Sequence, residues 1–299
     1  MYRTRINRVL AFINENLDSD LTIGQLAEVA NFSPFHFQRI YKSLQSETPY
    51  DTILRLRLEK SVFLIKHYSR KTVTDIAFEC GFASVENFSR QFKKRFGHSP
   101  SAYKRDKTLQ KSRIYQTPHE QDPYHLIQES RKIPAPDFSV TIEHLPAIRT
   151  GLIRALFGED GTALVNAYLQ LMEWAERNDV PTQGKLRRFG MSIDDHDVTP
   201  AGLYRYDFAV ALATQPFPGT PGIIEPGEIP SGEYATLHCE GDITLVAQAW
   251  DYLYQVWLPE SGYVPRHYPA IEEFLKGPEE IGWETFDINC RIPVEKMQD

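Results

Sequence analysis

Residues 81–105 read GFASVENFSRQFKKRFGHSPSAYKR, and the front of the chain holds a second, earlier version of the same design. Working back from that stretch, Ile76-Ala77 repeats Leu26-Ala27 and Phe82 repeats Phe32, both at an offset of 50. One residue is then inserted in the turn and the offset becomes 51. Phe88 repeats Phe37, Arg90 repeats Arg39, Phe92-Lys93 repeats Tyr41-Lys42, and Ser99-Pro100 repeats Thr48-Pro49. A repeat that keeps apolar, basic and proline positions together marks a duplicated structural unit.

The earlier copy shows what that unit is. Thr22 opens T-I-G-Q, a capping box with Gln25 at the third helical position, followed by Leu26, Ala27 and Ala30. The turn Asn31-Phe32-Ser33-Pro34 then starts a second helix, with Ser33 as N-cap and Pro34 at the first helical position. Helix, tight turn, helix is the layout that delivers a second helix into the DNA major groove. Upstream, residues 4–16 place Ile6, Val9, Leu10 and Ile13 at helical spacing, and Tyr50 to Tyr68 reads as one longer helix joining the copies. Two helix-turn-helix units in one chain would fill two successive major grooves on one face of a duplex. Phe37, Phe88 and Phe92 are expected in the core. Taken alone, Lys93, Lys94 and Arg95 read equally as a solvated helical face or as part of a DNA-binding surface.

The stretch from Gly81 to Arg105 resembles the signature of AraC/XylS transcription regulators, matching at Gly81, Phe82, Ser84, Phe88, Arg90, Phe92, Lys93, Phe96, Gly97, Pro100 and Tyr103. The resemblance covers residues 5–105 and implies a seven-helix DNA-binding domain with one recognition helix in each half. Carried over by position, the DNA-facing residues are Phe35, His36, Gln38 and Arg39 in the first unit. In the second they are Val85, Glu86, Asn87 and Arg90, with Lys93 and Lys94 beside them. Arg grips guanine through two hydrogen bonds, Gln does the same for adenine, and Glu accepts from cytosine. Phe35 and Val85 suit a thymine methyl. Family members often have a polar residue where Val85 stands, so the second helix should read less sequence by hydrogen bonding.

Charge agrees with two domains of different partners. The net −7 of the 299 residues hides a front, residues 1–110, with 18 Lys and Arg against 11 Asp and Glu. The remainder carries 15 against 29. The division expected is a DNA-binding domain over 1–108, a linker over 109–137 with a short helix near Tyr124–Glu129, and a small-molecule domain over 138–299. Cys80, Cys239 and Cys290 stand far apart, which excludes a disulfide framework and fits a reducing cytoplasm. No apolar run approaches the roughly 18 residues of a membrane span, and no signal-peptide pattern opens the chain.

The rear reads as α+β. Strands are expected over 139–148, 185–193, 203–213, 232–239 and 285–293, and helices over 162–176 and 245–257. Strand, helix, strand, strand, given twice, suggests two pseudo-equivalent halves sharing an antiparallel sheet with the helices on one face. A groove between such halves suits a ligand. GMSIDDHD from Gly190, RYD from Arg205, GEYATLHCEG from Gly232, PAIEEFL from Pro269 and FDINCRIPV from Phe286 resemble the GyrI-like effector-binding domain. That domain also serves as the ligand sensor of some multidrug-responsive regulators. The resemblance covers about 139–296 and implies an aromatic-lined cleft, often with an acidic residue, suited to lipophilic and sometimes cationic compounds. Ring faces and a carboxylate are what a desolvated organic cation needs. By motif position Glu272 is the first choice for the carboxylate and Glu273 the second, with Trp250, Tyr254, Tyr234 and Trp283 as walls.

Asp194-Asp195-His196-Asp197 is not expected to hold a metal, because four adjacent residues cannot converge on one ion, and His119, His125 and His144 lack ligand spacing. No cofactor fingerprint is present: G-x-S-x-G, P-loop and dinucleotide motifs are all missing. The chain therefore reads as a cytoplasmic transcription regulator, an activator. Its partners would be promoter DNA, a small-molecule effector and RNA polymerase, and it would have no membrane partner and no catalytic residue. Two other readings stay open for the rear domain: a hydrolase of reactive small molecules using the same aromatic-plus-Glu pocket, or a module that sequesters a partner.

Overall fold

The computed structural model describes residues 2–45, 47–111, 137–156, 161–180, 186–194, 199, 201–212, 217–218, 222–266 and 268–297. The expected helix near Tyr124–Glu129, His119, His125 and the turn Asp195-His196-Asp197 lie outside them. Two compact units divide the chain: Met1–Pro118 with Asp195–Leu203, and His119–Asp194 with Tyr204–Asp299. Each is described by itself.

The front unit is helical: α1 (Tyr2–Glu15), α2 (Ile23–Val29), α3 (Pro34–Gln45), α4 (Pro49–His67), α5 (Val73–Glu79), α6 (Val85–Phe96), α7 (Pro100–Arg105) and α8 (Lys107–Lys111). Its helix starts are set locally. Thr22, Thr48 and Thr72 each accept from the third helical amide, while Gln25, Asp51 and Asp75 reach back to the cap amide. Helix α4 is shared between two cores. Its Ile53 and Leu56 close a cluster with Ile6, Leu10, Leu26 and Phe37, whereas Leu58, Val62 and Ile65 close one with Ile76, Phe88 and Phe92. Each enclosed ring contributes about 1.5–3 kcal/mol. Arg55 on α4, itself buried, pairs with Glu47 at 2.6 Å and Glu59 at 3.2 Å, and Arg95 of α6 reaches Glu59 at 3.5 Å. These contacts tie α6 to the joining helix. Helix α8 begins what the sequence reads as linker. Gln110 Nε2 donates to the carbonyls of Tyr103 and Lys104 at 2.8 and 3.1 Å, and Leu109 packs on the second core.

The rear unit is a nine-stranded antiparallel half-barrel built from β1 (Thr141–Leu145), β2 (Ile148–Leu156), β3 (Arg188–Ser192), β4 (Arg205–Ala211), β5 (Glu225–Ile229), β6 (Gly232–Gly241), β7 (Tyr263–Pro265), β8 (Ile271–Phe274) and β9 (Phe286–Lys296). The spatial order is β1-β6-β9-β8-β3-β4-β2-β5, with β7 on the end of β9. This order is a palindrome. Strand β2, helix α9 (Thr162–Arg177), β3 and β4 occupy the places of β6, helix α10 (Ile243–Asp251), β8 and β9, so the pseudo-axis falls between β3 and β8. The helices match at an offset of 82: Leu171 and Leu253 are both fully enclosed, and Tyr168 corresponds to Trp250.

Several boundaries differ from expectation. The single strand over 139–148 is two, because Pro146 has no amide to continue the ladder. Strand β5, EPGEI, was hidden by Pro226 and Gly227; at the end of the sheet order a proline is tolerated. Strand β8 is only four residues long, too short for an alternation to be visible. Helix α10 starts at Ile243 behind the Asp242 cap and runs on as a π-helical turn over Tyr252–Trp257 and a last turn, α11 (Leu258–Glu260).

Candidate functional site

In the front unit the two turns before α3 and α6 share a left-handed residue and one closing hydrogen bond, although the second is a residue longer. Asn31 has φ 53° and Gly81 φ 77°, and the amides of Phe32 and Phe82 close onto the carbonyls of Ala27 and Ala77 at 2.9 and 3.0 Å. Gly81 is required by a close approach as well. Arg57 Nε and Nη2 donate to the carbonyls of Leu17 and Ser19 at 2.8 and 2.7 Å, and a Cβ at position 81 would overlap that carbonyl of Leu17 and press on the guanidinium.

Beyond the first turn, burying Phe37 and Tyr41 rotates Phe35, His36, Gln38 and Arg39 outward, all exposed, with Phe35 at 67%. The Arg39 guanidinium stands 5.8 Å from the Phe35 ring centre, a cation over an aromatic face on the same exposed surface. Ser33 Oγ lies 3.2 Å from His36 Nδ1. On α6, Phe88, Phe92 and Phe96 go inward, leaving Glu86, Arg90, Lys93 and Lys94 exposed. Arg90 Nη2 donates to Asn87 Oδ1 at 3.0 Å, and Ser84 Oγ caps the helix by accepting from the Asn87 amide at 3.2 Å. Val85 is drawn toward the core instead; it is half-buried and packs against the second cluster, because it is the apolar first residue of the helix.

In the rear unit, side chains alternate between the two faces of the sheet, and this separates the expected ligand residues. Glu272 and Phe274 face the helices. Trp250 Nε1 donates to Glu272 at 2.9 Å, and the Tyr206 hydroxyl, from β4, donates to its other oxygen. Tyr254 stacks on Trp250 with ring centres 6.1 Å apart. From Tyr206 an aromatic path continues through Phe208 at 4.9 Å and Tyr168 at 5.5 Å to Trp283, another 5.5 Å on and 47% exposed. Gly190 pairs with Glu272 in register, and a Cβ there would overlap the Tyr206 hydroxyl. The glycine is what lets the phenol reach the carboxylate.

Burial, and then the Glu272 charge, push the Tyr206 phenol well up, so it stays a donor. Burial first and the same carboxylate second raise the Cys239 thiol to about 11 and the Cys290 thiol well above its usual value. Such thiols are poor nucleophiles. Among the described residues, no three His, Cys, Asp or Glu side chains gather as a metal site.

Glu273 and Tyr234 stand apart from this cluster. Glu273 is on the opposite face, where Arg291 donates to it at 2.9 and 3.2 Å and Arg187 at 2.8 Å. Tyr234 is fully enclosed beside Phe189, Met191 and Ile271, and its hydroxyl donates to the Pro230 carbonyl at 2.8 Å. The period of two moves each neighbour to the other side of a strand. Tyr206, Phe208, Phe274 and Tyr168 were missed. Tyr206 and Phe208 sit at alternate positions in RYDF, and that alternation was the signal available for them.

Comparison with known proteins agrees with both halves. The GyrI-like small molecule binding domain matches residues 138–295, more than half of the chain, and a helix-turn-helix domain matches 26–106. The chain is 34% identical over 106 residues to the Transposon Tn10 TetD protein of Escherichia coli, spanning 36% of this chain and 76% of that protein. It is 34% identical over 97 residues to the HTH-type transcriptional activator RhaS of Escherichia coli O139:H28, spanning 32% of this chain and only 34% of that protein. A crystal structure of the AdpA DNA-binding domain in complex with a target DNA aligns with 28% identity and a TM-score of 0.32, over 33% of this chain and 89% of that one.

A duplicated helix-turn-helix unit and a ligand-binding half-barrel together define a DNA-binding transcription regulator that carries its own small-molecule domain. The chain belongs to the GyrI-like small-molecule binding family through its rear half and to the AraC-type regulators through its front. No helix among the described residues is long and apolar enough to cross a membrane.

Proposed function

We propose that this chain is a cytoplasmic transcription activator with a DNA-binding domain over 1–108, a linker over 109–137 and an effector domain over 138–299. Its promoter contacts are Phe35, His36, Gln38 and Arg39 on α3, and Glu86, Asn87, Arg90, Lys93 and Lys94 on α6, with Val85 contributing at most a methyl contact. Effector binding changes how the protein meets RNA polymerase, a coupling free energy between two sites. The activator relative supports the sign of that effect.

The effector is a lipophilic molecule with a cationic or hydrogen-bond-donating group on Glu272, between Trp250, Tyr254 and Tyr206. One observation carries this reading. Glu272 is a half-buried carboxylate whose partners among the described residues, a phenol and an indole N–H, are both neutral. A carboxylate out of water is stabilised further by a cation. The domain acts as a receptor and not as an enzyme, a reading supported by the protonated, buried thiols beside Glu272 and by relatives that are regulators. Benzyltrimethylammonium and neopentylbenzene, its neutral carbon isostere, test the site by titration with tryptophan fluorescence. Glu272→Gln should weaken the cation by about 2–5 kcal/mol and leave the neutral compound unchanged. Equal binding of both compounds to wild type and variant places the carboxylate outside the site.

A further inference from the structure

Arg188 is a buried cation in the sheet close to the Glu272 cluster. It lies on β3 two residues from Gly190 and pairs with Phe274, so it shares the helix-covered face with Glu272. Diagonal neighbours of this kind stand about 7–8 Å apart. The residue is 9% exposed, and its enclosed Nε finds no acceptor among the described residues. What balances its charge is Glu279, with Glu280 at 3.4 Å, both on the short helix α12 (Pro278–Ile281). Those carboxylate side chains are 48% and 42% exposed. The Tyr168 hydroxyl also donates to Glu279, at 2.9 Å. A buried guanidinium cannot be left without a counter-ion, whereas exposed glutamates lose little by returning to water. Arg188 is held by carboxylates the chain can exchange.

The pseudo-symmetry adds a second reason. Tyr168 and Trp250 are equivalent positions on the two helices, and each donates to a carboxylate: Trp250 to Glu272, which is fixed in the sheet, and Tyr168 to Glu279, which is carried by a surface turn. Glu279 thus occupies a place that another carboxylate can fill.

We infer that the cleft takes a bipolar ligand: a flat apolar body with a cationic or donating group for Glu272 at one end and a carboxylate for Arg188 at the other, the ligand carboxylate replacing Glu279 and Glu280. This rests on the reading of Glu272 as the ligand's partner and supplies its second pole. When the exchange happens, α12 loses its tie to the sheet. Trp283, which follows α12 and lies edge-on to Tyr168, changes surroundings with it.

Calorimetric titration of the full chain with 4-(aminomethyl)benzoate, its methyl ester and benzylamine tests the inference. The free acid should bind about tenfold or more tightly than the ester, which has the same cation and ring but no anion. Arg188→Gln should bring acid and ester together, and the double change Glu279→Gln with Glu280→Gln should strengthen the acid alone. Acid and ester binding equally to the wild type overturns the inference without any variant having to fold. So does binding by none of the three. Glu272→Gln separates the two readings. If it weakens all three while acid and ester still tie, the second pole alone has failed; if it weakens none, the Glu272 reading has failed too.

Discussion

In the helical unit the two copies remain alike residue by residue. Thr22 and Thr72 cap, Ala27 and Ala77 pack, Asn31 and Gly81 turn left-handed, and Phe37 and Phe88 anchor the helix that follows. In the sheet unit the two copies keep their places but not their side chains: Gly190 opposes Glu272, and Tyr168 stands where Trp250 does. The difference follows from what each pair faces. Two recognition helices meet the same object, a regular duplex, and need the same local geometry twice. The two halves of the half-barrel frame one candidate site and face no repeating object, so nothing requires them to stay identical. Divergence near the axis gives a symmetric scaffold different side chains in its two halves.

The comparison is broken most severely at the two turns. Gly81→Val places a β-branched side chain at φ 77° against the Leu17 carbonyl and Arg57, and should destabilise the chain by at least about 3 kcal/mol. Asn31→Gly, at the matching position with φ 53°, should change stability by no more than about 1 kcal/mol. Equilibrium denaturation compares them, and similar losses would show that the second turn is no tighter than the first.

A smaller effect is expected at the recognition helices. Arg39→Ala should cost about 1–3 kcal/mol on a specific site and much less on random DNA if its contact is bidentate. Arg90→Ala, whose guanidinium already bonds Asn87, should fall in the same range. Equal losses on specific and random DNA, measured by titration at fixed salt, would reduce either residue to a phosphate contact.

The smallest effect concerns pH in the sheet unit. Hydrogen bonding from Arg291, opposed by burial, holds the Glu143 carboxyl below its usual range. Burial pushes Asp287 up, but hydrogen bonds from Lys276 and His238 more than offset it and leave that carboxyl low as well. For a lowered carboxylate the stabilisation is present above the unfolded pKa and is lost as pH falls through the folded one. Stability should therefore drop as pH is taken below about 4. Glu143→Gln should remove part of that dependence while costing under about 1 kcal/mol at neutral pH, since the pair is partly exposed. An unchanged slope in acid denaturation would mean that the Arg291 contact does not persist in solution.

The front fold was legible because its signals are local. The capping box at Thr22 and the Ser33-Pro34 start each act within four residues, and the long helix read over 50–68 is found at Pro49–His67. The rear fold was legible in outline and lost in detail. Strand β5 hides behind Pro226-Gly227, β8 is four residues long, and both are strands only because β2, β3 and β9 are there to pair with them. Of the ligand candidates, motif position put Glu272 ahead of Glu273, but only strand pairing sends the first to the helices and the second to Arg291.

By itself the sequence determined the duplication of the helix-turn-helix unit and the presence of a sheet-and-helix domain behind it, while Phe35, His36, Gln38 and Arg39 were pointed to by the AraC/XylS resemblance. Helical periodicity and caps are written into neighbouring residues, so reading them needs no partner strand. Tertiary structure alone decided that Val85 turns to the core, that Tyr206 reaches Glu272 across Gly190, and that Arg188 shares their face. Val85 is set by the packing of α6 on its core, whereas the other two depend on the register between β3 and β8, some eighty residues apart. Side-chain direction in a sheet has a period of two, so a shift of one residue would have reversed both.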